Sequence, residues 1–216
     1  MVENRSIRTF LITAFCSLAI TFVGSRPGLA ADTFKQSAEL KGKTSKTSKD
    51  IDKYVTKLDK TEQVLSAVGR DEGQEVKKRY ESFSREVKEL EEAQKHAASD
   101  IDEMKATSTE YFSSWDAAIT QMSNPDLKQA SSERRSKIMK DHLELTATLS
   151  YLGSHLQPFM SNLQDLKSFL GADLSPANVA KAGDMIQKSQ ADAQALKGTI
   201  AGVQKTLKQF LGETIE

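Results

Sequence analysis

Between Val76 and Met122 fourteen positions fall at unbroken four-three spacing, and twelve of them are apolar or aromatic. The stripe runs Val76, Tyr80, Phe83, Val87, Leu90, then Ala97, Ile101, Met104, Tyr111, Trp115, Ala118 and Met122, with Gln94 and Ser108 filling the two remaining slots. A stripe of this period holds one side of a helix against partner helices along its whole length. The uninterrupted span, 73–122, is 50 residues, or about 75 Å at 1.5 Å per residue. An ordinary compact domain has no use for a helix that long, so the chain is expected to build an elongated object.

The rest of the sequence extends the same pattern. Ile51, Tyr54, Leu58, Leu65 and Val68 form an earlier seam, with Thr61 in its open slot. Gly69 and Gly73 follow, and the phase slips by one residue across them, which predicts a real discontinuity. Ser123-Asn124-Pro125-Asp126 reads as a turn into a new helix: Asn124 as cap, Pro125 at the first position, Asp126 against the positive helix end. The third seam is Ile138, His142, Leu145, Leu149, Leu152, Leu156, Phe159, Leu163, Leu166 and Leu170. Pro158 falls inside it without changing its phase, which predicts a kinked but continuous helix, and Gly171 reads as its C-terminal cap. Ser175-Pro176 opens the last segment, with Val179, Ala182, Ile186, Ser189, Ala193, Leu196, Ile200, Val203, Leu207 and Phe210 on its seam. The expected fold is all-α: an elongated antiparallel three- to four-helix coiled-coil bundle over residues 51–211, with helices at about 51–68, 73–122, 125–170 and 176–211. Whether 51–68 folds back as the fourth helix stays open.

Two segments precede this domain. Residues 1–30 have the order of an export signal: Arg5 and Arg8, an apolar run from Phe10 to Val23, then Gly28-Leu29-Ala30 with small residues flanking a peptidase site. The run is shorter than the roughly 20 residues that span a bilayer, so cleavage after Ala30 and a periplasmic location are expected, with an uncleaved anchor as the rival. Cys16 lies inside the apolar run behind Phe15, unlike a lipidation site. Cleavage removes three arginines and one glutamate from totals of 30 and 30, leaving 27 bases, 29 acids and no cysteine. That excludes thiol chemistry and a disulfide framework within the mature chain. Residues 31–50 read as a polar, basic, flexible arm, since the stretch 42–49 has no apolar side chain to bury.

The search for chemistry yields little. A net charge of zero argues against a nucleic-acid partner. No phosphate-binding glycine loop, zinc-binding helix motif or serine elbow is present. His96, His142 and His155 have no histidine neighbour at helical spacing. No catalytic residue, metal or cofactor is therefore expected. Two contact surfaces are candidates. One is a rod tip of Phe112, Met122 and Leu127, drawn from the aromatic stretch Tyr111-Phe112-Ser113-Ser114-Trp115 and the following turn, with core packing near the turn as the competing role. The other is a set of contacts to an anionic partner: Lys41, Lys43, Lys46 and Lys49 on the arm, with Arg134 and Arg135 beyond the turn. For the two arginines, pairing with Glu110 and Asp116 across the hairpin is the competing role.

Lys78-Arg79-Tyr80-Glu81-Ser82-Phe83, Tyr111-Phe112-Ser113-Ser114-Trp115, Ser123-Asn124-Pro125-Asp126-Leu127, Gln157-Pro158-Phe159 and Leu166-Lys167-Ser168-Phe169-Leu170 together resemble the DUF2959 proteins, over roughly residues 50–210. The resemblance implies a helical bacterial envelope protein without established catalytic residues. Some relatives bear a DNA-repair ATPase label, which nothing in these residues supports. Many look like lipoproteins, and this sequence lacks that signal. The combined expectation is a non-enzymatic exported scaffold or adaptor, working through a protein partner or self-association. A peripheral binder of membrane or envelope polymer through the basic arm is the alternative, and a site assembled between helices a distant third.

Overall fold

The computed structural model describes residues 29–68 and 74–215. Among them are five helices and no strand: α1 (Leu29–Val68), α2 (Gln74–Gln121), α3 (Pro125–Ala172), α4 (Pro176–Lys181) and α5 (Gly183–Ile215). The export signal read at 1–30 and the glycine discontinuity at 69–73 lie, but for Leu29 and Ala30, outside the described residues.

Helix α1 runs antiparallel to α2. Lys43 pairs with Glu103 at 2.7 Å, Lys46 with Asp100 at 2.7 Å, and Lys57 with Glu89, in one constant register. The sequence contacts of α5 continue the circuit: Gln194 and Lys197 reach Glu62, and Gln204 reaches Asp52. With α2 against α3 and α3 against α5, the four long helices close an up-down-up-down ring around one core. Tyr54 on α1 crosses that core, its hydroxyl 3.9 Å from the Met160 sulfur on the diagonal helix α3. Burial pushes the Tyr54 phenol well above its ordinary range.

The seams face inward. All fourteen α2 positions are buried or half-buried, and so are those of α3 and of α4 with α5. Asn124 caps α3, its Oδ1 accepting from the amides of Asp126 at 3.0 Å and Leu127 at 3.1 Å. Ser175 caps α4. Helix α3 runs through Pro158 without a break. Between α4 and α5 the Ala182 amide bonds to the carbonyls of Asn178 and Val179, and the Ile186 amide to that of Ala182. Hydrogen bonding thus continues across the boundary.

The flexible arm is a correction. Residues 31–50 are helix, and they pack on α2 along their length. The seam that begins at Ile51 continues upstream as Thr47, Thr44 and Leu40, all fully buried. Threonine tolerates this because its hydroxyl finds a carbonyl: Thr44 donates to Leu40 at 2.8 Å, and Thr47 to Asp100 on α2 at 3.2 Å. Thr61 does the same with Lys57 and Glu86. A stretch with no large apolar side chains between 42 and 49 is thereby held by methyl groups and satisfied hydroxyls.

Gly171 is a second correction. Helix α3 continues through it to Ala172 and ends at Asp173, whose backbone is extended (φ −156°, ψ 120°). The glycine makes room for Tyr80 of α2 instead: a β-carbon at 171 would overlap the phenol hydroxyl, which donates to the Lys167 carbonyl at 3.1 Å. Gly153 on the same helix faces open space. Gly153→Ala is therefore expected to raise the unfolding free energy by up to about 1 kcal/mol, the ordinary helix-propensity gain. Gly171→Ala should show no gain, because Tyr80 must withdraw from Lys167. Urea unfolding of the two variants side by side checks this; equal gains would remove the role given to Tyr80.

Candidate functional site

The aromatic stretch of α2 lies near the end of the bundle where α2 turns into α3. Tyr111 and Trp115 are one turn apart, with ring centroids 5.4 Å from each other, and Phe112 sits 5.3 Å from Tyr111. Phe112 next meets His142 of α3 at 5.4 Å, and His142 meets Phe210 of α5 at 5.7 Å. These rings join three helices into one tilted stack, the geometry that aromatic quadrupoles favour. Trp115 donates its indole N–H to the Ser131 hydroxyl at 2.9 Å. Arg135 lies over the Phe112 ring at 5.6 Å while its guanidinium holds Asp116 at 2.5 Å.

Phe112 therefore does not belong to an exposed tip. Only 3% of it reaches solvent. Met122 is half-buried, and Leu127 alone of the three is exposed, at 65%. Phe34 on α1, 80% exposed, also lies toward this end, because the α1–α2 register carries residues upstream of Lys43 toward the end of α2. Phe34 lies off the Leu40–Thr44–Thr47 face, and an aromatic side chain on the wrong side of a seam was the signal available for it.

His142 has the environment of a packed side chain rather than a catalyst. It is buried, and neither ring nitrogen has a hydrogen-bond partner among the described residues. A general base needs a group to orient it and a reacting proton within reach. Burial depresses the basicity of the imidazole, and the nearby Lys105 charge adds to the effect. Tyr111 moves the other way: burial raises its phenol, opposed in part by Ser37 and Arg134.

The basic residues are divided. Lys43 and Lys46 are tied to Glu103 and Asp100, and Arg135 to Asp116, as the competing role for the arginine required. Lys41, Lys49 and Arg134 are exposed. Beside Lys46, the mostly buried Asp50 is held below the usual carboxylate range by Lys53 and by its contact with the Asp100 side chain. What the sequence offered as a cationic arm is thus one side of a mixed-charge ladder between two helices. Among the described residues no group of three or more histidines, cysteines or carboxylates is placed to hold a metal ion. Among them, too, no helix is long and apolar enough to cross a membrane.

No curated protein and no solved structure matches the sequence. The sequence model of one family does, over residues 36–212. The match begins inside the stretch 31–50, so it takes in the α1 turns that carry Leu40, Thr44 and Thr47. Covering most of the chain, it places this protein in the family described as protein of unknown function (DUF2959).

Proposed function

We propose that the protein is a non-enzymatic, exported helical scaffold or adaptor of the bacterial cell envelope. The observation that carries this reading is the use of the seam residues. In four helices they are committed to one continuous core, and the longest helices, at 48 residues, extend about 70 Å. Such an object holds two points apart or presents its ends. The apolar side chains left outside the core at the α2–α3 end, Phe34 and Leu127, mark that end as the contact surface for a protein partner. The rival reading, an arm that binds membrane or envelope polymer, has less support, because Lys43 and Lys46 already face carboxylates on α2.

The test is photo-crosslinking in the intact cell with a photoreactive residue at Leu127 or at Phe34, each exported from the natural signal. A discrete adduct at both positions, absent when the residue is placed at exposed Gly198 on α5, is the expected result. Adducts spread evenly over all three positions would remove the end as a recognition surface. Cell fractionation of the same strains checks export, and a wholly cytoplasmic pool with an intact N-terminus would end the envelope assignment.

A further inference from the structure

Midway along the bundle the core is not filled. A slot of about 100 Å³ opens between α2 and α3, walled by Ile51, Leu152, Leu156 and Ile200, floored by buried Ala97 and with exposed Gly153 at its mouth. Its origin is legible in the seams. Where neighbouring layers of α2 carry Leu90 and Met104, this layer carries Gln94 and Ala97, and α3 presents Gly153 opposite. A β-carbon at Gly153 would touch nothing within 4 Å. Close-packed interiors leave few voids of this size, and an apolar void stays dry.

The slot does not end blindly. Gln94 and Ala98 line both it and an adjoining surface groove of about 360 Å³, again between α2 and α3. That groove is polar, with Gln157, Gln164, Glu91 and Lys95 along its walls. It carries one acid and one base, and Gln164 already donates to Glu91 at 2.5 Å. An apolar slot that leads past an amide into an electrically balanced, hydrogen-bonding groove matches one kind of molecule. The last few carbons of a single alkyl chain fill the slot, the rest lie along Ala98 and Met160, and an uncharged polyhydroxyl or amide head lies in the groove. A charged head gains nothing from a groove with balanced charge. A ligand with two chains does not fit a slot smaller than the roughly 150 Å³ cavity that accepts one benzene ring.

We infer that the α2–α3 face binds a single-chain amphiphile with an uncharged, hydrogen-bonding head, its chain end between Ala97 and Gly153 and its head among Gln94, Gln157 and Gln164. The inference does not depend on the scaffold reading, since neither the slot nor the groove includes the bundle end. Helix–helix interfaces of bundles are common places for such sites.

The probe is octyl glucoside, kept below its micelle concentration and titrated into the full-length protein while amide and methyl NMR signals are followed. Saturable shifts confined to Ala97, Ala98, Ile101 and Gly153, and absent with glucose, are expected. Gly153→Leu sets a side chain across the slot mouth at a position where any residue improves helix propensity, so the variant folds. It should bind at least tenfold more weakly, while Gly153→Ala binds within about twofold of the parent. No saturable binding by the parent chain, equal binding by Gly153→Leu, or shifts centred elsewhere would each overturn the assignment.

Discussion

Leu40→Ala lowers the unfolding free energy by about 3 kcal/mol, within the range of buried leucine truncations. Leu40 is fully buried, on the α1 face that continues through Thr44 and Thr47 to Ile51. Removing its side chain exposes the opposing α2 wall and leaves a cavity that the ladder of Lys43–Glu103 and Lys46–Asp100 pairs, one turn on, prevents from closing. Those pairs do not compensate. Lys43 and Lys46 keep a third and a half of their side chains in solvent, where water screens such ion pairs. Urea unfolding followed by circular dichroism measures the change. Were residues 31–50 a loose arm, the midpoint would not move, so a shift below about 0.5 kcal/mol defeats the packing described for α1. Phe34→Ala, at an exposed position nearby, is the control and should be neutral.

That contrast shows what the sequence could and could not disclose. The three later seams were legible because each repeats large side chains at four-three spacing, and all of those positions lie inside the bundle. The all-α bundle follows from them. The upstream part of α1 was opaque because threonine reads as polar. A threonine at a seam position buries a methyl and donates its hydroxyl to a carbonyl one turn back or across the interface. Thr61, on the same face and in phase with Ile51 and Leu58, was the available precedent. Carrying its phase backward by alternating four and three lands on Thr47, Thr44 and Leu40.

The aromatic end stayed open between core and tip for a different reason. A two-partner seam buries one narrow stripe, so Phe112, one residue off it, could equally belong to an exposed edge. A helix in a closed ring has neighbours on both sides and buries a wider face. On α2 the extra stripes are Asp100 and Thr107 toward one side and Phe112 and Ile119 toward the other, all buried. The flanking residues show this only when the ring's closure by α1 is known, and closure depends on the threonine stretch. The mid-bundle slot was written in Ala97 and Gly153, but small residues signal close helix approach and open space alike. The choice between them needs coordinates.

Phe210→Ala should have the largest effect of all, a loss of about 4 kcal/mol, within the range for buried aromatic truncations. Phe210 is 1% exposed and belongs to the core near the C-terminal end of α5. Its loss also changes how stability responds to acid. In the parent protein His142 is enclosed between Phe112 and Phe210, and its pKa lies below the ordinary 6.5. The unfolded chain then takes up the histidine proton before the folded one does. Stability is complete above pH 6.5 and falls as pH drops from there through the depressed folded value. A facing charge reinforces the direction: Lys105 on α2 is a cation. Carboxylates such as Glu89 and Glu103, whose pKa values sit below the ordinary 4.5, contribute stability that is present above that pH and lost only below it. The His142 window opens at pH 6.5, above the 4.5 at which the carboxylate one opens. Removing the Phe210 ring lets water reach one side of His142, so its pKa rises toward the ordinary value and the loss between roughly pH 7 and 5 shrinks. His142→Leu abolishes that window while leaving the carboxylate one intact. Urea midpoints of the parent and both variants across this range decide the matter. A parent midpoint that stays level from pH 7 to pH 5, or a slope that survives His142→Leu, would show that His142 is not the group being titrated.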